Sequence, residues 1–284
     1  MAANTKIEWC DHTWNPWTGC PDDGLRSPAC QHCYAREWHK RFGRDFDTIT
    51  RASDATFRAP SNRKKYKPGD KVFVCSLSDF FHEAVPDSLC AEAWDIVNER
   101  PDLIWMFLTK RPENISAPYN WAPYDPGGNF HNHWLGVTVE NQEQTDTRIP
   151  QLLATPAAVR FVSVEPMLEP ISFRWAKWKG LSRTESTNEY DGLRMLDWVI
   201  CGGESGPGAR PMHPDWARSL RDQCEDADVP FFFKQWGSKP PVEAFDEPFG
   251  KACAKMHLEK YGRLLDGQEH KAFPVLNLDA EENQ

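Results

Sequence analysis

The sequence lacks any apolar run long enough to cross a membrane: its longest clean stretch, residues 103–108, falls far short of the roughly 20 residues that a spanning helix needs. An apolar signal-peptide core is also missing near the amino terminus, so a cytoplasmic chain without membrane association is expected. Low-complexity tracts and shared-sequence repeats of about 20 to 50 residues are absent, which excludes solenoids and arrays. Positive charge is scarce. With 33 Lys or Arg against 42 Asp or Glu, the formal net charge is −9, so wholesale coating of nucleic acid or anionic lipid is excluded and any polyanion must be met locally.

The chain does carry a local basic block. Residues 36–71 hold 11 Lys or Arg against five Asp or Glu, leaving 22 against 37 elsewhere. Within it, REWHKRFGR and RKKYK interleave aromatics with cations, as surfaces that track a phosphate backbone and stack bases do. Arg63, Lys64 and Lys65, with Lys67, are the candidate nucleic-acid contacts of the second run. A solvated helix face and loop has the same composition.

Six short apolar runs bounded by turn residues predict buried strands: 71–79, 103–111, 134–141, 159–166, 196–206 and 230–237. A further short strand is expected near 12–18, and helix-like stretches cover 35–42, 86–98, 143–153 and 214–227. Alternating strands and helices imply parallel strands with helical crossovers. For 284 residues, this order predicts an α/β fold, a partial (β/α) barrel of six to seven parallel strands, with a doubly wound open sheet as the alternative. The barrel is expected over residues 1–237 with an inserted loop near 177–195, followed by an extension, 238–284, ending in an acidic tail.

The strands end in polar residues: Ser78-Asp79, Thr109-Lys110-Arg111, Glu140-Asn141, Glu165, Gly202-Gly203-Glu204-Ser205 and Lys234-Gln235-Trp236. Parallel α/β folds build their sites on that carboxyl-terminal rim. Nine cysteines without a secretion signal point away from a disulfide framework and toward metal or redox chemistry where they cluster. Three of them, Cys20, Cys30 and Cys33, stand in TGCPDDGLRSPACQHCYA with spacing C-x9-C-x2-C. Three thiolates can hold zinc with His32 or His39 as fourth ligand, or three irons of a [4Fe–4S] cluster whose fourth iron stays open to a small molecule. They can also be unrelated. Cys75 and Cys201 lie inside apolar runs and read as buried thiols, and Asn15 and Thr18 as caps on the cysteine loop. An auxiliary cluster on Cys10, Cys75 or Cys201 has no support from spacing.

At this point TKIEWCDHTWNPWTGC, SPACQHCYA, VCSLSDFFHEAVPD, LTKRPENI, WLGVTVENQE, RFVSVEPML, DWVICGGESGPGARPMHPDWARSLRDQC and PFFFKQWG together resemble the phage and bacterial three-cysteine-motif proteins, a radical-SAM-like family. The resemblance covers about residues 6–237. It implies a barrel of the radical-SAM type, a [4Fe–4S] cluster on Cys20, Cys30 and Cys33 as catalytic centre, and S-adenosylmethionine (SAM) at the open iron. Reduction by an electron donor such as flavodoxin would then cleave SAM to methionine and a 5′-deoxyadenosyl radical. Two departures stand out. The first cysteine interval is longer than in the commonest C-x3-C-x2-C spacing, and Ser78-Asp79 occupies the place after the second main strand where a Gly-Gly-Glu run usually meets the SAM amino group. The Gly202-Gly203-Glu204 run comes too late to inherit that role.

Chemistry and position then assign the rim. Asp79 is expected to take the SAM ammonium, Lys110 or Arg111 the carboxylate, Glu140 or Asn141 the ribose hydroxyls, and His32 the adenine. Glu165, Glu204, Lys234 and Trp236 are expected to face the substrate. The basic block, the tryptophans at 9, 14 and 17 and the phage association of the family favour DNA or a modified nucleotide, unstacked into the barrel. The leading expectation is an isomerase of phage thymidine hypermodification, in the host cytoplasm, with repair of a DNA lesion by a lyase following the same logic. A radical enzyme on a small metabolite or peptide is the second expectation. The third is a zinc- or cluster-stapled nucleic-acid-binding module without catalysis.

Overall fold

The computed structural model describes residues 5, 7–21, 26–115, 131–173, 192–240 and 262–275. Seven strands form one sheet: β1 (His12–Trp14), β4 (Lys71–Val74), β5 (Ile104–Thr109), β6 (His133–Thr138), β7 (Val159–Val164), β8 (Trp198–Gly202) and β9 (Phe231–Gln235). They lie side by side in chain order, and every neighbouring pair is parallel. Two two-residue strands, β2 (Trp17–Thr18) and β3 (Thr50–Arg51), pair antiparallel as a separate two-stranded sheet, and the short helix α2 (Asp54–Phe57) follows β3.

Period-2 alternation divides the sheet residues between two cores. Val74, Phe107, Val137, Val162, Cys201 and Phe233 share one core with Leu89, Trp94, Ile149, Leu152, Leu220 and Cys224 of the helices α3 (Asp87–Asn98), α4 (Gln142–Leu153) and α5 (Pro214–Ala227). The alternate positions, Phe73, Met106, Trp134, Phe161, Ile200 and Phe232, meet Trp9 in a second core that contains no helix residue. Among the described residues, helices on one face only, and a strand order that never reverses, make a curled partial barrel. A doubly wound sheet needs helices on both faces and a switch point. The inner core is dense with rings: Trp9 packs on Phe73 at 4.6 Å between centroids, and Trp134 meets Trp198 edge-on at 6.0 Å. Gly136 makes this possible, because a Cβ there would lie 2.5 Å from the Phe161 ring.

The carboxyl-terminal extension returns to this inner core. Phe233 N–H donates to His270 O, Ala272 N–H to Phe231 O, and the Trp198 indole N–H to Ala272 O at 2.8 Å. Phe273 packs against Trp198 and meets Phe232 edge-on, and Lys71, at the start of β4, lies over its ring. The floor of the barrel is thereby filled by aromatics, and a cavity opens at the carboxyl-terminal end of the strands. Most of the expected loop at 177–195 lies outside the described residues. Among those described, no helix is long and apolar enough to cross a membrane.

Candidate functional site

The alternation that puts rings at the barrel floor puts polar groups at its mouth. Continuing inward along each strand, Phe73, Met106, Trp134, Phe161 and Phe232 give way to Leu108, Thr138, Ser163 and Lys234, and beyond the strand ends come Lys110 and Glu165. These line a cavity of about 420 Å³ whose other wall is the cysteine loop, a volume within the usual range for a small-molecule site. Cys20, Cys30, His32, Cys33, Asp79, Lys110, Arg111, Glu165, Glu204 and Lys234 all border it, so the structure brings together ten of the sequence-derived candidates.

Two anchors hold the cysteine loop over the rim. Ser27 precedes a 3-10 turn (Pro28–His32) and α1 (Tyr34–Arg41). From the end of β8, the buried Glu204 carboxylate accepts from Arg210 Nε at 2.9 Å and from the Arg210 backbone N–H at 2.8 Å, while Arg210 Nη2 donates to Pro28 O at 2.9 Å. His32 Nδ1 lies 3.1 Å from the same carboxylate. Burial works against the charge on Glu204, yet the Arg210 and His32 hydrogen bonds outweigh it and hold the carboxyl below its ordinary range. From the end of β6, Glu140 accepts from Ala29 N–H at 3.5 Å and pairs with Arg148 at 3.0 Å.

Cys20 is positioned separately. Gly19 turns with φ +99°, where a Cβ would lie 2.1 Å from Thr48 O, so only glycine fits. Cys20 N–H donates to Phe46 O at 2.8 Å, and Arg111 Nη1 donates to Cys20 Sγ at 3.7 Å. Arg111 is itself buried, with Nε on Glu83 at 2.9 Å and Nη1 3.5 Å from Asp79. Burial pushes the Cys20 thiol up to about 12, against the pull of Arg111. Ser27 Oγ sits 3.5 Å from Cys30 Sγ. All three cysteines are free thiols, but among the described residues no three His, Cys, Asp or Glu groups converge tightly enough to hold one ion. A tetrahedral ion would draw its thiolates to about 2.3 Å from one point, whereas a cluster takes each on a different iron. Three free thiols bordering one cavity, two of them met by polar hydrogen-bonding groups, are donors of the kind that a cluster or a zinc ion would take.

Other candidates stand elsewhere. Glu140 is fully buried, turned toward Arg148 and the cysteine loop, and Asn141 caps α4 by accepting from Gln144 N–H at 2.9 Å. Neither borders the cavity. Trp236, past the end of β9, packs on Phe233 and donates its indole N–H to Leu264 O in the outer core. Arg63, Lys64 and Lys65 are exposed at the opposite end of the barrel, where Arg63 lies 3.5 Å from Asp102 just ahead of β5. Asp79 borders the cavity but has its acceptor directions filled by Thr109 Oγ1 (2.7 Å), Lys110 N–H (3.0 Å), Phe81 N–H (3.1 Å) and Arg111. An ammonium ligand therefore finds no open lone pair there. Sequence reasoning missed Arg210, Thr138 and Ser163; for the last two, the signal was their inward register.

A family profile described as "Protein of unknown function (DUF5131)" matches residues 4–274. The chain belongs to this family. No curated protein and no solved structure matches it. Within the DUF5131 chain, the last pair on the rim is Glu165 and Lys234. Lys234 Nζ lies 2.7 Å from Glu165 Oε1, and Ser163 Oγ donates to Oε2 at 3.0 Å. Gly202 leaves room for this carboxylate, since a Cβ there would lie 2.8 Å from Oε1.

Proposed function

We propose that the protein is a radical-SAM enzyme whose [4Fe–4S] cluster is held by Cys20, Cys30 and Cys33 and whose substrate is a modified nucleobase, with an isomerisation in thymidine hypermodification as the leading reaction. The observation that carries this reading is that three free thiols and the polar ends of β5 to β9 border one cavity at the mouth of a parallel partial barrel. When bound, the cluster and SAM supply reductive cleavage of the sulfonium to methionine and a 5′-deoxyadenosyl radical, which abstracts a substrate hydrogen.

The chain's own groups do the binding and orienting. Lys110, on the cavity wall, receives the methionyl carboxylate. Asp79 fixes the backbone of Lys110 and the guanidinium of Arg111, and Arg111 directs a hydrogen bond at Cys20. His32, tied to Glu204, meets the adenine edge, and the Thr138 and Ser163 hydroxyls stand where Glu140 and Asn141 do not reach. Glu165 and Lys234 offer an acceptor beside a donor. That pair complements the N–H and C=O of a pyrimidine imide edge.

A zwitterionic metabolite or peptide terminus also complements that pair, which keeps the second reading. The test is single-turnover incubation with SAM, dithionite and DNA deuterated in its modified pyrimidines. Deuterium in 5′-deoxyadenosine and an altered nucleoside are expected. Unlabelled 5′-deoxyadenosine with unchanged DNA would move the substrate to small molecules, and zinc with no SAM cleavage would leave a stapled binding module.

A further inference from the structure

Helix α1 and its C-terminal cap residue, Phe42, carry an aromatic ladder. Tyr34, Trp38 and Phe42 recur every fourth residue, so they run along one face of the helix. Trp38 and Phe42 pack with ring centroids 4.8 Å apart and planes tilted by 50°. Neither end of the ladder is buried: Tyr34 and Phe42 are each 56% exposed, and only Val275 joins them as an exposed large apolar side chain among the described residues. Cations flank the rings. Arg44 lies over Trp38 at 5.2 Å and Arg41 near Phe42 at 5.9 Å. Lys40, Arg41 and Arg44 are exposed and make no ion pair among the described residues, whereas Arg36 is paired with Asp47 at 2.8 Å.

The ladder starts at the site. Tyr34 and Arg36 border the cavity, and the eight-residue helix runs about 12 Å, the length of three to four stacked nucleotides at about 3.4 Å each. A face built for solubility carries no aromatic stripe, and a face built for the core hides it. Two exposed rings, with the half-buried Trp38 between them and cations that make no ion pair among the described residues, offer bases a stacking platform and phosphates a counter-charge. An acidic peptide would use the cations but leave the rings idle.

We infer that the α1 face from Tyr34 to Arg44 docks single-stranded nucleic acid flanking the nucleotide that enters the cavity, in place of Arg63, Lys64 and Lys65 at the far end. The inference rests on the proposed nucleobase substrate, but its test can be separated from that reading. Anaerobically purified full-length protein is titrated into a fluorescein-labelled oligothymidylate of about 15 nucleotides at several salt concentrations, with iron content and 5′-deoxyadenosine release measured on the same preparations. Phe42→Ala is expected to weaken binding about tenfold. The combined Lys40→Gln, Arg41→Gln and Arg44→Gln variant is expected to weaken it further and to lower the salt slope by about 2. Both changes are at exposed positions, so iron content should hold. Wild-type affinity in both variants would overturn the inference, as would a loss caused instead by Lys64→Gln with Lys65→Gln. Displacement of the oligonucleotide by a Glu-rich peptide at equal concentration would overturn it too. Binding that depends on α1 in a protein without iron would support the inference while overturning the catalytic reading.

Discussion

Arg210 offers the sharpest test of how the cysteine loop is held. Replacing it with Met keeps the aliphatic stem but removes the Nε bond to Glu204 at 2.9 Å, the Nη2 contact to the other carboxylate oxygen, and the 2.9 Å bond to Pro28 O. Hydrogen bonds to charged groups contribute about 1.5–3 kcal/mol each when one partner is lost. The Arg210 side chain is 31% exposed, so water recovers part of that, and a net loss of about 2–3 kcal/mol is expected. In a chain of this size, that lowers Tm by roughly 3–5 °C. The pH dependence has a definite sign. Because the folded state holds the Glu204 carboxyl below its ordinary value, the stability it contributes is complete above the carboxylate range and is lost as pH falls through the folded value. The gap between wild type and Arg210→Met should therefore be widest near neutrality and narrow in acid. Urea denaturation at a series of pH values reads this directly. A loss below about 0.5 kcal/mol at neutral pH, the size of an ordinary surface substitution, or a gap that stays constant into acid, would refute the clamp.

Two further outcomes follow from the geometry. Gly136→Ala forces a Cβ to within 2.5 Å of the Phe161 ring, and overpacking of about 1–3 kcal/mol should appear as a lowered denaturation midpoint; an unchanged midpoint would mean the inner core yields. Glu165→Gln breaks the 2.7 Å pair with Lys234 on the wall opposite the cysteine loop, so iron content and SAM cleavage should persist while nucleoside turnover, followed by mass spectrometry, falls at least tenfold.

The strands and helices were legible because each carries its own local signal. The α5 segment opens on Pro214 and closes at Ala227 as the 214–227 pattern predicts, and the apolar runs of β4 to β9 need no distant partner to be read. Side-chain direction beyond a strand's end was not legible. Glu140 and Glu165 both follow buried strands, yet one turns to Arg148 and the other to Lys234, and nothing local distinguishes them. Trp236 likewise stands past β9, where Gly237 with φ +89° turns the chain and the indole finds Leu264. The placement of Arg63, Lys64 and Lys65 follows from topology alone: residues leading into a parallel strand lie at the end away from the rim. Arg210 escaped notice because its partners, Pro28 and Glu204, meet only through the fold.

The most direct test of the account is the metal and its chemistry in wild type beside Cys30→Ala, both purified anaerobically. The account predicts about four irons and four sulfides per wild-type chain, 5′-deoxyadenosine on addition of dithionite and SAM, and loss of both in Cys30→Ala with the fold retained by circular dichroism. Zinc in place of iron after reconstitution, or 5′-deoxyadenosine release that survives Cys30→Ala, would contradict it.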